Sequence, residues 1–246
     1  MDMSALPKAA DLAARSVFGG ESAPRWRPGL GGEENGSALH SEIFASACEA
    51  SGAAVALALA LDGLRLAEAG LQEERCVLWV QDAAAIRLTG RPYRPGLPAV
   101  LRSRLIHVAA REPADALFAL EEGVRCRDLA CVVGEIAGNP RALDFTASRR
   151  LSLAAEKHGV PLFLVRLDAQ RDLSSARLRW QVRAAASPPP LWNRAAPGTP
   201  TWHAELFRAR RHAPGEWLLR EADGGLEAYP ANPPEEAWEP QVALSR

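Results

Sequence analysis

At 246 residues, with 48% hydrophobic and 24% charged residues, the chain has the length and balance of one large globular domain, or one domain with a small appendage, and global disorder is excluded. A formal net charge of −1 excludes a whole-molecule field that would draw nucleic acid or an anionic membrane. Cys48, Cys76, Cys126 and Cys131 form no C-x-x-C pair and no Cys/His cluster with zinc spacing, so reduced thiols in a cytoplasmic protein are expected. The first residues lack a basic region followed by an apolar run, and the run Ala53 to Leu61 is too short to span a bilayer. Neither a signal peptide nor a membrane segment is expected.

Taken in chain order, Ala9 to Val17 is compatible with a short helix ending at Gly19-Gly20, and residues 21–37 read as a Gly-, Pro- and Glu-rich loop. Leu39 to Phe44 is a short strand. The run Ala53 to Leu61 alternates like a strand, but its alanine content and length predict a buried helix. Cys76 to Gln81 and Leu105 to Val108 are apolar strands. Ala114 to Arg125 is a helix with Leu117, Leu120 and Val124 on one face. Leu129 to Ile136 is a third such strand and Asp144 to His158 a helix with Gly159 as its C-cap. Pro161 to Arg166 is a fourth. Continuous apolar strands alternating with amphipathic helices indicate a parallel sheet covered on both faces.

Beyond about residue 175 the pattern changes. Ala176 to Ala184 alternates with period two, placing Arg177, Arg179, Gln181 and Arg183 on one face and Leu178, Trp180 and Val182 on the other. After a Pro-rich loop, Trp202 to Arg210, Trp217 to Arg220 and Leu226 to Tyr229 read as strands, with a turn at Pro214-Gly215. The expected organisation is an N-terminal helix and loop over 1–35, an α/β core over 36–170, an Arg-rich β extension over 171–229 and an acidic, Pro-rich tail over 230–246.

Lysine is almost absent: 27 of the 29 basic residues are arginine, and the only lysines are Lys8 and Lys157. The order of segments in the core resembles a RecA-type nucleotide-binding domain. Where such a domain carries its phosphate-gripping Gly-Lys-Thr, this chain reads Ser51-Gly52-Ala53-Ala54. A P-loop needs backbone N–H groups around the phosphates, a lysine for the β/γ-phosphates and a hydroxyl for Mg²⁺. Here methyl groups replace the ammonium and the hydroxyl. On the strand that would carry the metal-binding aspartate, Val132-Val133 precede Gly134, and Glu135 follows one place late, facing the other side of the strand. Both signatures fail together, so hydrolysis is not expected, and no cofactor or metal is implied. A nucleotide pocket without hydrolysis stays open as an alternative. His40, His107, His158, His203 and His212 are scattered and belong to no hydrolase motif. His158, at a helix end, suits the helix dipole.

The C-terminal part separates charge. Residues 171–220 carry nine Arg and three acids, 9 − 3 = +6, and residues 221–246 carry one Arg and six acids, 1 − 6 = −5. Arg177, Arg179 and Arg183, with Arg208, Arg210 and Arg211, are candidates to follow a phosphate backbone, and Trp192 and Trp202 to stack bases of single-stranded DNA. The competing reading is an ordinary solvated arginine face with the tryptophans in a small core.

Ordered blocks of the chain resemble the ImuA family of RecA-like accessory proteins. They are Leu39-His40-Ser41-Glu42-Ile43-Phe44, Val77-Leu78-Trp79-Val80, Glu112 to Glu122, Cys131-Val-Val-Gly-Glu135, Leu143 to Ala155, Pro161 to Arg166, Ala176 to Val182 and Pro200 to Arg208. The resemblance covers roughly residues 30–220. It implies a RecA-like, mostly parallel sheet flanked by helices with a β-rich C-terminal extension. It also implies a non-catalytic adaptor role in SOS-induced translesion synthesis. The implied partners are ImuB, an inactive polymerase homologue, and an error-prone replicative-type polymerase, with RecA as a further candidate. An NTPase with a non-standard site and a direct single-stranded DNA binder are the alternatives.

Overall fold

The computed structural model describes residues 40–66, 74–190, 193–210, 213–222 and 225–231. The helix expected over Ala9 to Val17, the loop after it, Trp192, Arg211 and the acidic tail beyond residue 231 lie outside the described residues.

Among the described residues, nine strands form one sheet. They are β1 (His40–Ala45), β2 (Cys76–Gln81), β3 (Leu105–Ala109), β4 (Leu129–Ala137), β5 (Leu162–Leu167), β6 (Leu178–Ala185), β7 (Thr201–Ala209), β8 (Gly215–Ala222) and β9 (Gly225–Pro230). Their order is β3-β2-β4-β5-β1-β6-β7-β8-β9. The first six positions pair in parallel and the last three strands join antiparallel. The fold is α/β, and the β-rich C-terminal stretch extends the same sheet through the β1–β6 pairing.

Among the described residues the helices that accompany it are α1 (Ser51–Leu66), α2 (Ala83–Thr89), α3 (Ala99–Arg102), α4 (Pro113–Arg125) and α5 (Phe145–His158). Asp82 and Asp144 cap α2 and α5 by accepting from the third N–H inside. Gly159 ends α5 at φ 74° with its N–H on Ala155, the left-handed cap that glycine adopts without a Cβ clash. One core lies between the sheet and α4–α5, built on Leu120, Val132, Leu151 and Leu164. The other holds α1 against Ile43, Val133, Val165 and Trp180.

The strand-like alternation of α1 has a physical reason. Leu219 and Leu226 of the antiparallel strands reach the same core as Val55, Ala60 and Leu61. The Asp62 carboxylate accepts the Leu226 N–H at 2.8 Å. The sheet therefore curls over α1, and a helix enclosed on several sides is apolar on several sides.

The sequence reading places no element between Gln81 and Leu105. The structure has α2, a 3₁₀ turn at Arg94–Gly96 and α3 there. These pieces are too short to show a helical period, and prolines at 92, 95 and 98 obscure what remains.

Candidate functional site

In open parallel sheets, ligands bind beyond the carboxyl ends of the strands, where successive crossovers leave to opposite faces. Here the connections after β1 and β2 pass on the α1–α2 side, and those after β3 and β4 on the α4–α5 side. The carboxyl ends of β1, β2 and β4 are therefore where a site is expected.

The loop after β1 leads into α1, as a P-loop does, but its donors are used internally. The Ala47 N–H donates to the Asp168 carboxylate at 3.0 Å, and the Cys48 N–H to the Ser46 hydroxyl at 3.1 Å. Asp168 has φ 49° and donates its own N–H to the carbonyl of Ala45. The Glu49 carboxylate accepts from Ala184 N–H at 3.0 Å. Gly52 has a packing role: a Cβ there would come within 2.7 Å of Val165 Cγ1 and 2.9 Å of Ala45 Cβ. Ser51 is buried, and Ala53 and Ala54 pack against the core. An anion entering this loop meets two carboxylates and no ammonium, so these residues do not fit a nucleotide's phosphates.

Glu135 faces the α1–α2 side, whereas Gly134 faces Leu120 and Leu164 on the other. Trp79 Nε1 donates to Glu135 Oε1 at 2.7 Å and Thr89 Oγ1 to Oε2 at 3.2 Å. Burial raises its pKa, and hydrogen bonds from Trp79, Thr89 and Gln81 act against that rise. Gln81 also bridges to His107 (2.9 Å) and to the carbonyl of Gly90 (2.9 Å). Among the described residues, no group of three or more His, Cys, Asp or Glu could hold a metal ion.

A third cluster lies over β1, β5 and β6. The buried Glu42 carboxylate accepts from Arg179 Nε at 2.7 Å and from the Ser174 hydroxyl at 2.8 Å, and Arg166 Nη1 stands 3.6 Å away. Asp172 lies 3.5 Å from Arg166 and 3.8 Å from Arg179. Both guanidinium groups stack over Phe44. His40 on the same strand bonds Ser152 at 2.9 Å. Its pKa is lowered to about 4, first by burial and then by Arg166 and Arg179, against the pull of Glu42.

Over 164 residues the chain is 35% identical to Protein ImuA of Caulobacter vibrioides strain NA1000 / CB15N, and equally to Protein ImuA of strain ATCC 19089 / CIP 103742 / CB 15. Over that stretch the chain is similar to the ImuA proteins. The match spans 63% of this chain and 64% of the length of those relatives. No family model matches the chain.

In this ImuA relative the arginines expected to share one face of β6 do share it, but they do not all meet solvent. Arg179 is 3% exposed and bound to Glu42. Arg177 pairs with Glu156, which raises its pKa and lowers that of the glutamate. Trp202 is 7% exposed and belongs to the α1 core, so its ring is not presented for stacking. Arg183, Arg208 and Arg210 are exposed. Period two fixes the side of the sheet, but not whether a loop covers that side; residues 168–177 cover it here. The internal pairing of the β1–α1 loop through Asp168 was also invisible, because 121 residues separate its partners.

Proposed function

We propose that this chain is a non-catalytic accessory protein of SOS-induced mutagenic translesion DNA synthesis. It acts as an adaptor beside an ImuB-like polymerase homologue and an error-prone replicative-type polymerase, with RecA as a further partner. The likeness to Protein ImuA supports the damage-response setting. The non-catalytic part is carried by the β1–α1 loop, where Ala53 and Ala54 stand in place of lysine and hydroxyl and Asp168 occupies the Ala47 N–H. A loop tied by its own carboxylate is a shaped surface rather than an anion cradle. Among the described residues no helix is long and apolar enough to cross a membrane.

Two measurements test this reading. Tagged chain recovered from DNA-damaged host cells brings down ImuB, RecA or the error-prone polymerase; recovery of none of them removes the adaptor role. Thermal unfolding is unchanged by Mg-ATP at about millimolar concentration, whereas a rise of several degrees reveals a nucleotide site, and release of inorganic phosphate from that ATP overturns the non-catalytic reading.

A further inference from the structure

Between Asp82 and Glu112 the chain carries six arginines, Arg87, Arg91, Arg94, Arg102, Arg104 and Arg111, and no carboxylate. This stretch contains α2, the 3₁₀ turn, α3 and β3, and among the described residues β3 is the edge strand at one end of the sheet. Among the described residues, Arg87, Arg91, Arg94, Arg102 and Arg111 have no carboxylate partner. Several are nonetheless held in place. Arg94 Nη2 donates to the Leu105 carbonyl at 2.8 Å, and Arg102 Nε to the Leu97 carbonyl at 2.9 Å. A carbonyl orients a guanidinium without cancelling its charge, and the remaining N–H groups stay available.

Between Arg91 and Arg94 in this run stands Tyr93, 73% exposed. It sits between Pro92 and Arg94-Pro95 on the 3₁₀ turn, whose Gly96 and Leu97 N–H groups close on the carbonyls of Tyr93 and Arg94. Its ring lies against Gly96, where a Cβ would come within 3.1 Å of Cδ1. The ring is therefore presented outward on a rigid support, and ordering it on binding costs little entropy. The positive field is felt inside: the pKa of His107 on β3 is lowered first by burial and then by Arg91 and Arg94.

We propose that this edge binds single-stranded DNA, with Arg91, Arg94 and Arg102 on the phosphate backbone and Tyr93 stacking an unpaired base. Uncompensated arginines around an exposed aromatic ring are what single strands require, because phosphates supply the charge and every base a π-face. An added peptide strand fits less well. The Arg104 carbonyl points inward to Val77 N–H, so that of Leu105 points out, and Arg94 already occupies it. The choice of DNA over RNA rests on the proposed function; the surface itself rests on the geometry.

The test is fluorescence anisotropy of labelled oligo-dT, about 20 nucleotides long, titrated with the full chain across a salt series. Arg91→Gln with Arg102→Gln weakens binding about tenfold or more and reduces the salt slope by about 1.4, two phosphate contacts at ~0.7 each. Tyr93→Ala weakens binding about fivefold or more and leaves the slope unchanged. The control Arg183→Gln with Arg208→Gln leaves affinity within about twofold. Absence of oligo-dT binding by the parent chain overturns the proposal. So do unchanged affinity in both edge variants, tighter binding of oligo-U, and equal capture of polyglutamate with and without Tyr93. An unfolding midpoint matching the parent shows that each variant is folded. Recovery of partner proteins is scored separately, so loss of the adaptor role and loss of DNA binding are read independently.

Discussion

Two regions of this ImuA relative are rich in arginine, and they use it differently. In the C-terminal stretch, Arg171, Arg177, Arg179 and Arg220 each meet a carboxylate: Glu205, Glu156, Glu42 and Glu227. At the β3 edge the guanidinium groups of Arg94 and Arg102 meet backbone carbonyls instead. The first arrangement spends charge on holding loop 168–177 and the β1–β6 junction together. The second keeps charge at the surface. Counting arginines against acids by sequence segment ranks residues 171–220 as strongly basic, yet Glu42 on β1, Glu156 on α5 and Glu227 on β9 all lie outside that segment. Net charge along the chain is thus a poor guide to field at a surface when ion pairs bridge more than a hundred residues.

The contrast can be broken or sharpened by measurement. The largest effect is expected for Glu42→Ala, which leaves Arg166 and Arg179 buried without their shared carboxylate and lowers unfolding free energy by about 3–5 kcal/mol. Urea denaturation reads this, and a loss below about 1 kcal/mol breaks the claim that these arginines are structural.

Next comes pH. The folded chain binds a proton on His40 only near pH 4, whereas the unfolded chain does so near 6.5. This contribution is fully present above pH 6.5 and is lost as pH falls toward 4, by roughly 3 kcal/mol. Urea midpoints measured across that window fall steeply for the parent chain and less for His40→Gln. Parallel curves for the two proteins remove His40 as the cause.

The smallest effects separate the two regions directly. Arg177→Gln breaks a partly exposed pair and costs about 0.2–1 kcal/mol. Arg91→Gln with Arg102→Gln leaves stability within about 0.5 kcal/mol, because no carboxylate is stranded. A larger loss from the edge variant than from Arg177→Gln reverses the comparison.

Much of the fold was legible locally. The strand from Cys76 to Gln81 has the bounds its apolar run predicts, and Asp144 and Gly159 mark the ends of α5 as cap chemistry requires. The short pieces between Gln81 and Leu105 were not legible, since seven residues or fewer carry no helical period. The acid-free run that they hold was countable, and only its position on a sheet edge gives it meaning. At the nucleotide-like loop, the missing lysine and hydroxyl could be read directly, but the Asp168 contact could not.

By itself, the sequence determined the alternation of strands and helices, the absence of lysine and hydroxyl after β1, and the side of β6 on which each residue lies. Each of these depends on covalent identity or on a period of two or 3.6 residues, which neighbours along the chain set. The tertiary structure alone decided which arginines are neutralised, that α1 is enclosed by the curled antiparallel strands, and that Tyr93 stands outward among unpaired charges. Those outcomes depend on which distant segments come within a few ångströms, and Coulomb interactions and burial act through space rather than along the chain.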